Sequence, residues 1–316
     1  MTEPEVLVDV RGGVGRIRLN RPRQINALTV AMMHELGLAL TAFADDPEVL
    51  SVELTGAGER GLCAGADVRA LRELATSGED VTLFFATEYG VNLQIASFPK
   101  PYRAIMTGIT MGGGMGLSVH GSQRVVDATS RLAMPETQIG LFPDVFVTPL
   151  LARMPGEIGT HLALTGASIG AADALRLGLA DEAADEVGAP DVGLEAGWIA
   201  ECYAGDSAAE IVGRLAEHAD PAARSAAEEL RRRSPISICV TLEALRRAAH
   251  TVHLADQLPT ELALAVRLAT GPDFAEGVRA QLVDRDRNPR WQHTSIEEVT
   301  RPEVLAYFEP LQPPAS

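Results

Sequence analysis

Hydrophobic and polar positions change their period several times along the chain. Residues 6–20, VLVDVRGGVGRIRLN, hold two β-rich apolar runs around Gly12-Gly13, which predicts a hairpin. From 28 to 44 the period becomes helical, through Leu28, Met32, Leu36, Leu40 and Phe43, with Thr29 placed to cap the start. Asp45-Asp46-Pro47 ends that helix, and VLSVELTG (49–56) is a strand. Residues 67–76 and 80–96 read as helices, YRAIMTGIT (102–110) as one buried strand, and Gly112 onward as a helix start. Short β runs follow at 124–129 and 131–135. Strands alternating with helices define an α/β fold with crossover connections.

From Ser168 the pattern is helical, over 168–178, 194–204, 207–219, 221–232, 237–249 and 259–270. The acidic stretch DEAADEVGAPDVG (181–193) is the candidate linker. The expected organisation is therefore a core over 1–193 and a helical region over 194–316.

Composition narrows the partners. A chain of 316 residues, 46% hydrophobic and 22% charged, can bury a large apolar core. Its net charge of −16 argues against nucleic acid or an anionic membrane. A small anionic ligand remains compatible, held by a local basic group or by backbone N–H groups. The acidic opening MTEPEVLVDVRGG has no apolar stretch of the signal-peptide kind, and no apolar run is of membrane-spanning length. Cys63, Cys202 and Cys239 are odd in number and far apart, so no disulfide framework is expected. These features lead to an expected cytoplasmic location.

Three segments carry candidate chemistry. GLCAGADVRAL (61–71) and GITMGGGMGLSVHG (108–121) are glycine-rich strand-to-helix turns. Each projects uncapped amides, and two side by side could hold one oxyanion. Either turn alone is equally a packing device, and GGGMG fits neither dinucleotide nor P-loop spacing. The third segment, AMPETQIGLFPDVFVTP (133–149), sets Glu136 and Asp144 among Ile139, Leu141, Phe142 and Val145. The two acids either point to water or line a partly dry pocket that tunes them for proton work. His120, Cys63, Ser118 and the run EELRRR (228–233) read as structural or solvated, and His250 with His253 lack the partners of a metal site.

NRPRQINALT, GERGLCAGADVR, GITMGGGMGLSVHG, AMPETQIGLFPD and LTGASIGAADALRLGLAD follow one another in this order. Together they resemble the crotonase (enoyl-CoA hydratase/isomerase) superfamily. SPISICVTLEALRR (234–247) and DFAEGVRAQLVDRDRNPRW (273–291) are similar to its 3-hydroxyisobutyryl-CoA hydrolase branch. The resemblance implies a spiral of ββα units followed by helices, assembly as homo-oligomers such as trimers, and an acyl-CoA substrate handled without a metal or redox cofactor. It implies an oxyanion hole from the amides of Ala66 and Gly113, a catalytic carboxylate at Glu136 and an orienting acid at Asp144. It places CoA against Arg23, Ala27, Leu28, Ala64, Asp67 and Val68. Gly116 stands where hydratases carry a second acid, which favours a thioester hydrolase of valine catabolism. An isomerase or hydratase-like enzyme, or a CoA-ester binder without turnover, are the alternatives. One departure stands out: Phe146-Val147-Thr148 occupy positions that are usually glycines in the hydrolase branch.

Overall fold

In the computed structural model, which describes residues 3–311, nine strands are present among the described residues. They are β1 (Val6–Arg11), β2 (Val14–Leu19), β3 (Ser51–Gly56), β4 (Tyr102–Ile105), β5 (Ile109–Met111), β6 (Gln123–Val126), β7 (Arg131–Ala133), β8 (Ile169–Gly170) and β9 (Glu182–Ala183). One sheet has the order β1-β2-β3-β4-β6-β9, the other β5-β7-β8. The β1–β2 hairpin is antiparallel, and its turn residues Gly12 and Gly13 take φ of 58° and 78°, as a two-residue hairpin of matched twist requires. The other pairs of the large sheet are parallel, joined by crossovers as the α/β reading expects.

The chain divides into two compact units that interleave in sequence. The first holds the residues up to Asp67, Ala86–Met134 and Ser168–Asp191; the second holds Val68–Phe85, Pro135–Ala167 and the chain from Val192 onward. A single boundary near 193 is not how the chain is partitioned, because the helical part also recruits two earlier segments.

In the first unit the helix Val30–Asp45 buries Met32, Met33, Leu36 and Leu40. Thr29 caps it by accepting from the Met32 N–H at 3.1 Å. Lys100, the one lysine of the chain, donates to the Phe43 and Asp46 carbonyls at its far end, where a cation suits the helix dipole.

Local expectations for the first unit also need correction. Residues 102–110 are not one strand: the chain breaks at Gly108 (φ 54°), and β5 joins the second sheet. Gly108 lies against the Arg60–Gly61 backbone, where a Cβ would come within 2.6 Å of the Arg60 oxygen. Nor is 181–193 a plain linker. Asp181 takes the Arg124 guanidinium in a forked pair, β9 adds to the sheet edge, and Asp185 accepts from the Ala128 N–H.

The second unit is helical. At its centre runs the helix Pro235–Ala248, whose cap Ser234 accepts from the Ser237 N–H. Leu258–Thr270 and Pro272–Val278 follow, and the latter continues into a π-turn over Arg279–Val283. The segment expected as helix over 168–178 begins instead as β8 and is helical only over Ala171–Arg176.

Candidate active site

In the first unit the two glycine-rich turns are zipped together. Isolated bridges join Gly61 to Gly108 and Cys63 to Thr110, and a third joins Leu28 to Ala66. Only glycine fits at 61, since a Cβ there would lie 2.3 Å from the Ile109 nitrogen. The result places Ala66 beside Gly113: the Ala66 nitrogen lies 3.5 Å from where a Gly113 Cβ would stand. Among the described residues, the loop bonds holding these turns use the amides of Leu28, Ala64, Asp67, Met111 and Gly112, not those of Ala66 and Gly113. The two amides are thus close together and are not among the donors that hold the turns, which is what an oxyanion-binding pair requires.

The NRPRQINAL segment is organised by a residue that sequence reasoning missed. Asn26 is fully buried, and its amide nitrogen donates to the carbonyls of Ala57, Gly61 and Leu62. Ile25 and Asn26 both adopt left-handed backbone, φ 49° and 54°. Of the residues expected to meet CoA, Leu28 is buried and donates its amide to Gly65, whereas Ala64 is exposed. The Ala27 carbonyl accepts from Arg21, and Asp67 pairs with Arg21 at 3.1 Å. Arg21 is further neutralised by Glu5, while Arg23 is exposed. Val68 opens the helix Val68–Ser77 of the second unit. Cys63 is buried, and burial pushes its thiol up to about 12, so it is no thiolate nucleophile.

Glu88 also escaped the sequence reading. It is 1% exposed, and its Oε1 lies 2.3 Å from the Gly113 Cβ position, so an acid stands beside the paired amides. The available signal was its isolation: it is the one charged residue in the helix Thr82–Ala96, TLFFATEYGVNLQIA.

The second unit holds both acids of the 133–149 segment, and both are buried: Glu136 is 7% exposed and Asp144 8%. Glu136 opens the turn Glu136–Ile139, closed by Gly140 at φ 79°. The DFAEGVRA block explains itself here. A Cβ on Gly140 would strike the Asp273 carbonyl carbon at 2.5 Å, and one on Gly277 would strike the Ile139 Cα at 2.5 Å. The Glu136 turn and the helix Pro272–Val278 therefore touch backbone to backbone. Asp273, buried, accepts from the Ser234 hydroxyl at 2.6 Å and from the Gln292 N–H at 2.7 Å, tying 234, 273 and 292 around that turn.

After Asp144 the chain makes two consecutive left-handed steps, Val145 (φ 52°) and Phe146 (φ 60°), both wholly buried. Left-handed backbone disfavours side chains, β-branched ones above all. The expected departure from glycine thus falls, in part, on backbone that glycine would occupy freely. Phe146 and Thr148 both donate to Glu261, a 2% exposed carboxyl unnoticed in the sequence. Burial, then the Asp144 charge, hold the Glu261 pKa well above the usual carboxylate range.

A six-stranded, mainly parallel sheet beside a small second sheet, with paired glycine turns and helices after them, defines a crotonase-fold protein. The crystal structure of a carnitinyl-CoA dehydratase from Mycobacterium thermoresistibile is similar with a TM-score of 0.93 and 44% identity, covering 98% of this chain and 97% of that one. That of an enoyl-CoA hydratase from Rhodobacter sphaeroides has a TM-score of 0.92 at 39% identity, covering 98% of each. The chain belongs to the enoyl-CoA hydratase/isomerase family, whose profile matches residues 14–194 and 182–308. A curated relative, the mitochondrial 3-hydroxyisobutyryl-CoA hydrolase of Gallus gallus, is 36% identical over 97% of this chain and 89% of its own length.

The cytoplasmic expectation does not stand, because the named hydrolase relatives, those of chicken and human included, are mitochondrial proteins. Cysteine usage separates oxidising from reducing surroundings; it does not separate one reducing compartment from another.

Proposed function

We propose that the protein is an acyl-CoA thioester hydrolase whose substrate is 3-hydroxyisobutyryl-CoA, a step of valine catabolism. The carrying observation is the near full-length similarity to 3-hydroxyisobutyryl-CoA hydrolases, which includes the block 273–291 packed on the Glu136 turn. The amides of Ala66 and Gly113 would stabilise the oxyanion formed at the thioester carbonyl, each worth about 3–4 kcal/mol of transition-state stabilisation. Glu136 either takes a proton from the attacking water or attacks the carbonyl itself. In the first route the water oxygen bonds to the acyl carbon. In the second an acyl-glutamate anhydride forms, and water then cleaves it. In both, the carbon–sulfur bond breaks and the leaving CoA thiolate takes up the proton that water gives up. Asp144 orients the substrate hydroxyl or the water. Arg23, Ala27, Leu28, Ala64, Asp67 and Val68 are assigned to CoA, with Arg23 the exposed cation for its phosphates.

A second reading has its own support: the two similar crystal structures are of a carnitinyl-CoA dehydratase and an enoyl-CoA hydratase. Against it, the position of the second hydratase acid is Gly116, buried in the short helix Gly113–Gly116. The deciding experiment measures free thiol from 3-hydroxyisobutyryl-CoA, 3-hydroxypropionyl-CoA and crotonyl-CoA, for wild type and Glu136→Gln. Rapid release that collapses in the variant supports the hydrolase. Conversion of crotonyl-CoA with its thioester intact refutes it in favour of hydration or isomerisation.

A further inference from the structure

The Asp144 loop combines backbone strain with a cavity lined by the residues that flank it. Val145 and Phe146 are consecutive left-handed residues, the first of them β-branched. Beside the loop the second unit leaves a cavity of about 370 Å³, lined by Phe142, Thr148, Arg247, Gln257, Glu261 and Leu264 among others. The cavity reaches Phe142 and Thr148 on either side of the step, while Val145 and Phe146 themselves are wholly buried, and a strained backbone persists only where its surroundings over-determine it. Among the residues lining the cavity, Glu261, from the helix Leu258–Thr270, reaches the loop. The Phe146 N–H donates to its Oε2 at 3.3 Å, and the Thr148 hydroxyl donates to its Oε1 at 3.2 Å. One oxygen thus holds the second left-handed residue, and the other holds the first residue of the helix Thr148–Ala152. Asp144 sits immediately before, its carbonyl accepting from Val147.

We propose that Glu261 is a positioning residue: by taking these two donors it fixes the Val145–Phe146 step and so aims the Asp144 carboxyl. The inference rests on the reading of Asp144 as the orienting acid. Glu261 does not touch substrate; it acts through the loop. Its burial and the neighbouring Asp144 charge favour the neutral acid. A glutamine matches the shape and neutrality of that group: its oxygen accepts from the Phe146 amide, and its NH2 donates to the Thr148 oxygen once that hydroxyl turns its own proton away, while a leucine makes neither bond.

The test compares Glu261→Gln, Glu261→Leu and wild type by two readouts, steady-state thiol release and hydrogen exchange at the Phe146 amide. Leucine should abolish protection of that amide and lower kcat by roughly 100-fold with KM little changed, as an ångström-scale misplacement does. Glutamine should keep the protection and recover most of kcat. Thr148→Val, which removes one of the two bonds with little change of volume, should lie between and serves if the leucine variant fails to fold. Unaltered Phe146 exchange in Glu261→Leu overturns the proposal, as does an equal loss of kcat in the glutamine and leucine variants with protection intact. If wild type releases no thiol from any ester, the hydrolase reading fails on its own, and the amide exchange still decides whether Glu261 holds the loop.

Discussion

Phe146 offers a measurement in which backbone strain and core packing pull in opposite directions. Its ring is wholly buried and its φ is 60°. Truncation to alanine removes the ring, at about 3–5 kcal/mol, and leaves the left-handed backbone in place. Truncation to glycine removes the same ring but recovers the left-handed penalty of an L-residue, about 1–2 kcal/mol. Against this, glycine gives the unfolded chain extra freedom worth about 0.4–1 kcal/mol. The balance places Phe146→Gly above Phe146→Ala in stability by about 1 kcal/mol, reversing the order found in ordinary helices and strands. Both variants remain less stable than wild type, because the ring outweighs the strain. Urea unfolding at constant m-value reads all three free energies. A glycine variant clearly less stable than the alanine variant would refute the strain account. A glycine variant more stable than wild type would refute the packing account, and would mean that the glycine expected from the resemblance is the better residue here.

Two further outcomes follow from the same structure. Glu261 is held above its ordinary value of 4.5, by burial first and then by Asp144; above 4.5 the unfolded chain gives up this proton while the folded chain retains it, so the contribution is full below 4.5 and is lost as pH rises through the folded value. Thermal melts should therefore show Glu261→Gln gaining on wild type as pH is raised from 4.5 toward neutrality, and a pH-independent difference would remove the buried acid from the account. Gly61→Ala and Gly113→Ala should separate folding from chemistry. At 61 the new methyl meets Ile109 backbone at 2.3 Å with φ at 152°, so soluble folded protein should be lost. At 113 it meets the movable end of the Glu88 side chain, so the protein should fold but lose about 10²–10³ in kcat as the methyl crowds one oxyanion donor. A folded, active Gly113→Ala would dismiss that amide from the site.

The elements visible in the sequence were those whose causes are local. The 28–44 helix carried its own period and cap, and the Gly12-Gly13 hairpin its own turn chemistry; both appear within a residue or two. The break at Gly108 depends on a neighbour, Gly61, that lies far away in sequence, so the run 102–110 read as a single strand. For the same reason the acidic 181–193 stretch looked like a linker: its order comes from Arg124 and Ala128, not from its own composition. Hydrophobic periodicity has no means of reporting such pairings.

The buried carboxyls divide along the same line. Glu136 and Asp144 were conspicuous because they interrupt an apolar, proline-flanked segment, and both are indeed buried. Glu88 and Glu261 sit in helices, where an acid is ordinary; the one mark on Glu88 is that it is the sole charge of its helix, and Glu261 carries no comparable mark. Their neighbours are the Gly113 backbone for Glu88 and the Phe146 amide with the Thr148 hydroxyl for Glu261. In each case the missed acid stands beside a segment that the sequence did mark. The motifs named the loops that matter; the groups holding those loops come from elsewhere in the chain, because a strained turn is stabilised by whatever packs on it rather than by its own residues. DFAEGVRA is the same relation made visible as a motif, since its backbone is pressed against the Glu136 turn and leaves room for nothing larger than glycine at 140 and 277.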